Sequence, residues 1–188
     1  TNIDETTYAP PVYTKTWFHT GYFINGADIA QAFRNEYFKG DTAAWQLPHA
    51  VLPQAGGEET RQACRALKGS MLRREVYAQD GSELKDIPYT VEEKTWQVKK
   101  LQGLYAGSDA VFMLTEGQGM AWHYERNAAD PRILHSLILE ADDYGNPLKT
   151  AQIAYPRRDV RGRLPEQQQM LVTITQNDFI NHPGQDFR

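Results

Sequence analysis

Carboxylates, histidines, a cysteine and a run of arginines are the side chains here that could do chemistry. The densest acidic corner is Asp142-Asp143-Tyr144-Gly145-Asn146, between two runs that read as strands. Two adjacent carboxylates can hold a cation or move a proton. A calcium loop, however, needs ligands at alternating positions and a later glutamate, and Lys149 and Gln152 follow instead. Asp at the first position of a turn and Gly at the fourth fit a type I turn with a left-handed glycine. The expectation is a structural turn built by Asp142, Asp143, Gly145 and Asn146.

The histidines, His19, His49, His123, His135 and His182, show neither HxH nor HExxH spacing. His123 and His135 could meet across neighbouring strands, but two imidazoles lack the third ligand of a catalytic zinc site. They read as structural histidines, and no metal or cofactor is expected. Cys64 is the single cysteine, so no internal disulfide forms. Its neighbours Ala63, Ala66 and Leu67 suggest an inert buried thiol, although Arg61 and Arg65 flank it. No GxSxG elbow, P-loop or strand-GxGxxG is present. The acidic pairs Glu58-Glu59 and Glu92-Glu93 read as solvated faces.

Arg157, Arg158, Arg161 and Arg163 fall within one short loop, interrupted by Asp159. They are a candidate interface for an acidic partner, set against a plain solvated loop. Two further readings stay open: a surface-binding module using Trp17, Phe18 or Trp45, and a hydrolase assembled from His123, Glu125 and Asp142.

The elements that would position these residues change character along the chain. Residues 1–16 read as an extended arm with Pro10-Pro11. ADIAQAFRNEYF predicts a helix with Asp28 as N-cap and Gly40 past its end, and Glu58–Leu67 predicts a second, stopped by Gly69. From Ser70 on, strands dominate: MLRREVYA, then IPYTVEEKTWQVKKLQ, then DAVFMLTEGQGMAWHYER as a hairpin with Gly117 and Gly119 at its tip. RILHSLILEADDYGNPLKTAQIAY reads as another hairpin and QMLVTITQNDFI as a last strand. On the presumed strand at Ile133–Glu140, apolar residues on both faces predict cover on both sides. The expected fold class is α+β, mainly β: an antiparallel sheet of about six strands with two helices in the N-terminal half.

The chain has 188 residues, 40% hydrophobic and 11% aromatic, and a formal net charge of −4. That fits one globular domain and speaks against a nucleic-acid surface. No apolar run approaches the roughly 20 residues that cross a bilayer, so no direct membrane insertion is expected. Thr1 opens the chain without a Met, and a loop-like NHPGQDFR closes it. The expectation is a single domain, 1–188, cut from a longer chain, with an arm and helices in 1–69 and a β-rich part in 70–188.

Five stretches, in order, carry a family resemblance: TWFHTG (16–21), ACRALKGSMLRREVYAQDG (63–81), PYTVEE (88–93), HYERNAADPRI (123–133) and LEADDYGNPLK (139–149). Together they resemble the B component (TcdB/TcaC-like) of bacterial insecticidal Tc toxin complexes. The similar region lies between its β-propeller and its Rhs-type, or YD, repeat shell. The resemblance implies a secreted, non-catalytic structural module of a hollow β-shell that encloses the toxic part of the C component. Its implied partners are the propeller and repeat shell of its own chain, the C component and, indirectly, the A component channel. No catalytic residue is implied. Asp142 to Asn146 looks like one YD-repeat turn, but Leu139-Glu140-Ala141 stands where Tyr-x-Tyr is usual, so the segment resembles a lead-in to the repeats. The alternative reading is a surface- or host-ligand-binding module.

Overall fold

The computed structural model describes residues 10–24 and 27–180, with the side chains of 24 and 27–29 excluded. In chain order the elements are β1 (Val12–Phe18), β2 (Phe23–Ile24), β3 (Ala27–Asp28), a 3-10 helix (Ile29–Asn35), β4 (Ala50–Val51) and α1 (Gly57–Ala66). Then follow β5 (Met71–Ala78), β6 (Thr90–Gln102), β7 (Val111–His123), β8 (Arg132–Ala141), β9 (Pro147–Ala154), a short 3-10 turn (Pro165–Gln168) and β10 (Leu171–Gln176). One sheet runs β1-β5-β6-β7-β8-β9-β10, antiparallel throughout, with β4 added parallel to β6. The fold is mainly β, as expected.

Several expectations are corrected. Residues 12–16 are not a free arm: β1 pairs along β5 from Val12↔Ala78 to Phe18↔Met71. The first helix is a 3-10 segment ending at Asn35, short of Phe38. Asp28, the expected N-cap, lies in β3, and its side chain is outside the described residues.

The glycines Gly117 and Gly119 do not turn the chain. They sit inside one continuous 13-residue strand, β7, and neither has positive φ. A hairpin tip needs that conformation; a strand interior uses glycine for close approach. A Cβ on Gly119 would stand 3.1 Å from the Ser136 hydroxyl, and one on Gly117 3.0 Å from Gln97. The true hairpin joins β6 to β7 at residues 103–110, which carry two further glycines.

β5 pairs with β6 over only four positions, Arg73↔Glu93 to Val76↔Thr90, before the two diverge. The vacated edge of β6 takes β4 at Trp96 and Gln97. The Trp96 indole bridges the gap, donating to the Met71 carbonyl at 2.8 Å.

One face of the sheet is covered. Residues 30–51 form a strap over the β5–β7 region, where Leu47 joins Val91, Met120, Trp122 and Tyr124 in a buried cluster. On the opposite face α1 covers one end, packing Ala63 and Leu67 on Val98 beside Trp96 and Leu114, which alternate along β6 and β7 onto the side of Glu92 and Lys94. Beyond α1 that face is bare among the described residues. Its rows read Glu92–Ala121–Leu134–Ala154–Leu171 and Lys94–Gly119–Ser136–Gln152–Thr173 across β6 to β10. Leu134 is 50% exposed. The expected cover on both sides of β8 is therefore absent among the described residues. Alternation of side chains along a strand puts the Ile133, His135 and Leu137 side inward and the Leu134 and Ser136 side outward.

Candidate functional site

Three charged joints and one bare surface are the places where this molecule could act. The first joint lies under the strap. Arg73, Glu75 and Glu93 all point to the covered face because they alternate along β5 and β6. Glu75 is fully buried, Glu93 5% and Arg73 7% exposed. Arg73 donates from Nε to Glu75 at 2.6 Å and from Nη1 to Glu93 at 2.5 Å. The Glu75 Oε1 that takes Arg73 also accepts from the Phe38 amide (2.8 Å), its Oε2 accepts from the Tyr77 hydroxyl (2.6 Å), and Glu93 Oε2 accepts from the Leu47 amide (3.3 Å). The Arg73 guanidinium also lies 4.7 Å over the Tyr37 ring. Burial opposes its charge, and Glu93 and Glu75 outweigh that and raise its pKa. Burial, with the field of Glu93, pushes the Tyr37 phenol up to about 12, and burial with the Glu75 hydrogen bond pushes Tyr77 further. Both phenols stay protonated. Every charge has its partner, so the arrangement anchors the strap and leaves no base free to work. The acidic pair Glu92-Glu93 thus splits: Glu92 meets Arg74 on the open face, and Glu93 is buried rather than solvated.

The second joint holds the arginine loop. Asp130, 4% exposed, accepts from Arg157 Nη2 at 2.7 Å and Nε at 3.1 Å, from Arg163 Nη2 at 3.1 Å, and from the amides of Arg158 and Asp159. Burial alone would raise its pKa; the Arg157 guanidinium and the two amides overcome that and hold it at about 2. Arg158 grips Asp41 of the strap at 2.8 and 2.9 Å, and Tyr124 donates to the same carboxylate at 3.0 Å. Of the four arginines, only Arg161 has a largely exposed side chain, at 89%, and it pairs with Asp159 in its own loop.

The third is the acidic corner between β8 and β9. Asp142 Oδ1 accepts from the amides of Tyr144 (2.9 Å) and Asn146 (2.8 Å), and Oδ2 from the Asn146 side chain (2.9 Å). The Gly145 amide donates to the Asp142 carbonyl, and Gly145 has φ 88°. Asp143 is exposed and pairs with Lys99. No group of three or more His, Cys, Asp or Glu suited to a metal occurs among the described residues.

His123 and His135, which neighbouring strands could have brought together, do not meet: His123 faces Arg132, and His135 faces Met120. His135 is bonded on both ring nitrogens, to Gln118 Oε1 at 2.9 Å and to the Tyr155 hydroxyl at 3.2 Å. The pair that does meet is His19 and His49, with ring centroids 6.2 Å apart and planes at 90°. No sequence spacing foretold it, since β1 and the strap are joined only by tertiary packing. The hydrolase grouping fails too. His123 ends β7 opposite Arg132, the first residue of β8, and Glu125 pairs with that arginine, whereas Asp142 follows the far end of β8, roughly 30 Å away by strand rise. Cys64 is buried at 3%. Of the aromatics, Trp17 is buried and donates to Glu36, Trp45 stacks edge-on against Tyr155, and Phe18 is half exposed. They form no single patch.

What remains is the bare surface: the open sheet face and, at its end, β10. All six residues of β10 are exposed, Val172 at 51% and Ile174 at 59% among them, and its outer edge pairs with no described strand. An uncovered, β-branched edge is a template for further pairing.

Comparison with known proteins completes the description. The profile of the family described as insecticide toxin TcdB middle/C-terminal region matches residues 62–186. The crystal structure of TcdB2–TccC3 without its hypervariable C-terminal region matches 93% of this chain at TM-score 0.77 and 29% identity, over 9% of that chain. A further TcdB2–TccC3 crystal structure matches 87% at TM-score 0.71 and 31% identity, over 8% of its length. A Photorhabdus luminescens Tc holotoxin pore matches 84% at TM-score 0.70 and 33% identity, again over 8%. The chain spans less than a tenth of the chains it matches. Among curated proteins no match is found.

Proposed function

We propose a structural role for this chain, which belongs to the insecticide toxin TcdB middle/C-terminal region family: it is a non-catalytic wall segment of the shell of a secreted toxin complex. In this reading the shell encloses and helps deliver the toxic part of a C component. The observation that carries it is the bare end of the sheet. β10 offers an edge that pairs with no described strand and two exposed faces, as a wall segment does when its neighbours are supplied by the rest of a longer chain. The β-rich part, 70–188, supplies the wall; the N-terminal part, 1–69, supplies its cover and one edge strand. The Asp142–Asn146 corner is read as one turn of YD type leading into the repeats. Any contact of the arginine loop with an acidic partner falls to Arg161, because Arg157, Arg158 and Arg163 are engaged within the chain. The described helices include none long and apolar enough to cross a membrane.

The test is capture of a C component by the intact parent chain, with and without residues 1–188. Loss of capture on deletion supports the wall role. Capture that survives deletion, together with a metal or host ligand held by the isolated chain, replaces it with a binding module.

A further inference from the structure

The strap is held by groups of two kinds. Its anchors at Phe38, Leu47 and Asp41 are hydrogen bonds to charged partners. Its last residues are held differently. His49 is 6% exposed, and neither of its ring nitrogens has a hydrogen-bond partner among the described residues. Its carbonyl accepts from the Trp96 amide at 3.2 Å, and β4 directly after it makes just two pairs with β6.

The surroundings of the ring suit a neutral imidazole only. From the 3-10 helix, the Arg34 guanidinium adds positive charge; from the turn after β1, His19 stands edge-on at 6.2 Å. From β6, the buried carboxylate Glu93 is taken by Arg73 and the Leu47 amide, and Thr95 donates to the Pro48 carbonyl. A proton on His49 would place an unpaired cation in a dry pocket beside a guanidinium, which is costly unless the pocket opens. His135 differs: both its ring nitrogens already have oxygen partners, so its site can accommodate a second N–H.

We propose that His49 is an acid-sensitive latch: residues 44–51 close over the sheet while its imidazole is neutral and lift when it takes a proton. The sign follows from linkage. Burial and the Arg34 charge depress its pKa from 6.5 to about 4, so the open form binds the proton more tightly. Closure is therefore fully favoured above the ordinary imidazole range and weakens as pH falls from about 6.5 toward 4. The Asp130 joint, held at about 2, keeps its charge throughout that window.

Amide hydrogen exchange on the whole chain, corrected for the intrinsic pH dependence of exchange, tests this. The reporters are the Leu47 and Trp96 amides in the strap region and the Arg158 and Asp159 amides at the Asp130 joint. Between pH 7 and pH 5 the strap reporters should open on the order of tenfold more readily, with the Asp130 reporters unchanged. In His49→Leu that pH response should vanish while protection at pH 7 is kept. Unchanged strap protection in the wild type at pH 5, or the same response in His49→Leu, overturns the latch. An imidazole titration of His49 by NMR in the wild type needs no variant: a midpoint well below 6.5 supports the proposal, and one at or above 6.5 overturns it.

Discussion

The two buried charged joints are mirror images in stoichiometry. Under the strap one cation, Arg73, serves two carboxylates; at the arginine loop one carboxylate, Asp130, serves two guanidinia. They differ in how far each partner is withdrawn from water. At the first joint every side chain is 8% exposed or less, whereas at the second Arg157 retains 14% and Arg163 35%. A charge left alone in the first has no solvent to turn to, and in the second its partners can rehydrate. The lesson is that burial, more than the number of ion pairs, decides what such a joint is worth.

Breaking the buried side should have the largest effect. Arg73→Leu leaves Glu75 and Glu93 facing each other in the dry pocket, and a loss of about 3–5 kcal/mol is expected from urea unfolding midpoints. A loss under about 1 kcal/mol would show that water reaches the site and would erase the contrast. Next comes the acidic corner between β8 and β9. Gly145→Val forces a β-branched residue to φ 88° and sets its Cβ 3.1 Å from Thr115, so about 2–3 kcal/mol should be lost. Full stability in that variant would contradict the turn geometry.

Asp130→Asn should cost about 2 kcal/mol, less than Arg73→Leu, because two partly solvated guanidinia lose a charged acceptor. Acid sharpens the same point. With its pKa lowered to about 2, Asp130 contributes stability that is present above the ordinary carboxylate value of 3.8 and lost as pH falls through about 2. The wild type should therefore lose more stability than Asp130→Asn between pH 4 and pH 2, as melting temperatures would report; equal losses would remove Asp130 as the cause. Smallest of all, Arg161→Ala should change stability by no more than about 0.5 kcal/mol, because its pair with Asp159 is open to solvent.

Local pattern made much of this fold readable. β5 occupies the MLRREVYA stretch that read as a strand, and α1 begins one residue before the expected glutamate. The β8–β9 hairpin and its corner were readable because Asp, Gly and Asn at fixed offsets encode a turn by local hydrogen bonds. The buried joint was not readable. Arg73, Glu75 and Glu93 alternate as solvated strand residues do, and nothing local says that the strap will cover their side of the sheet. The glycines of β7 misled for a related reason: glycine permits both a turn and a close strand approach, and the neighbouring strands choose.

The amino-acid sequence by itself determined the strand-forming segments, the α1 boundaries, the acidic corner and, through ordered motifs, the family. Those depend on interactions within a few residues or on patterns that survive without coordinates. Tertiary structure alone decided what covers each face of the sheet, that Asp130 gathers two arginines from the β9–β10 loop, and that His49 meets His19. Each of these depends on segments far apart in the chain packing together, and side-chain periodicity fixes which residues share a face but not what lies against it.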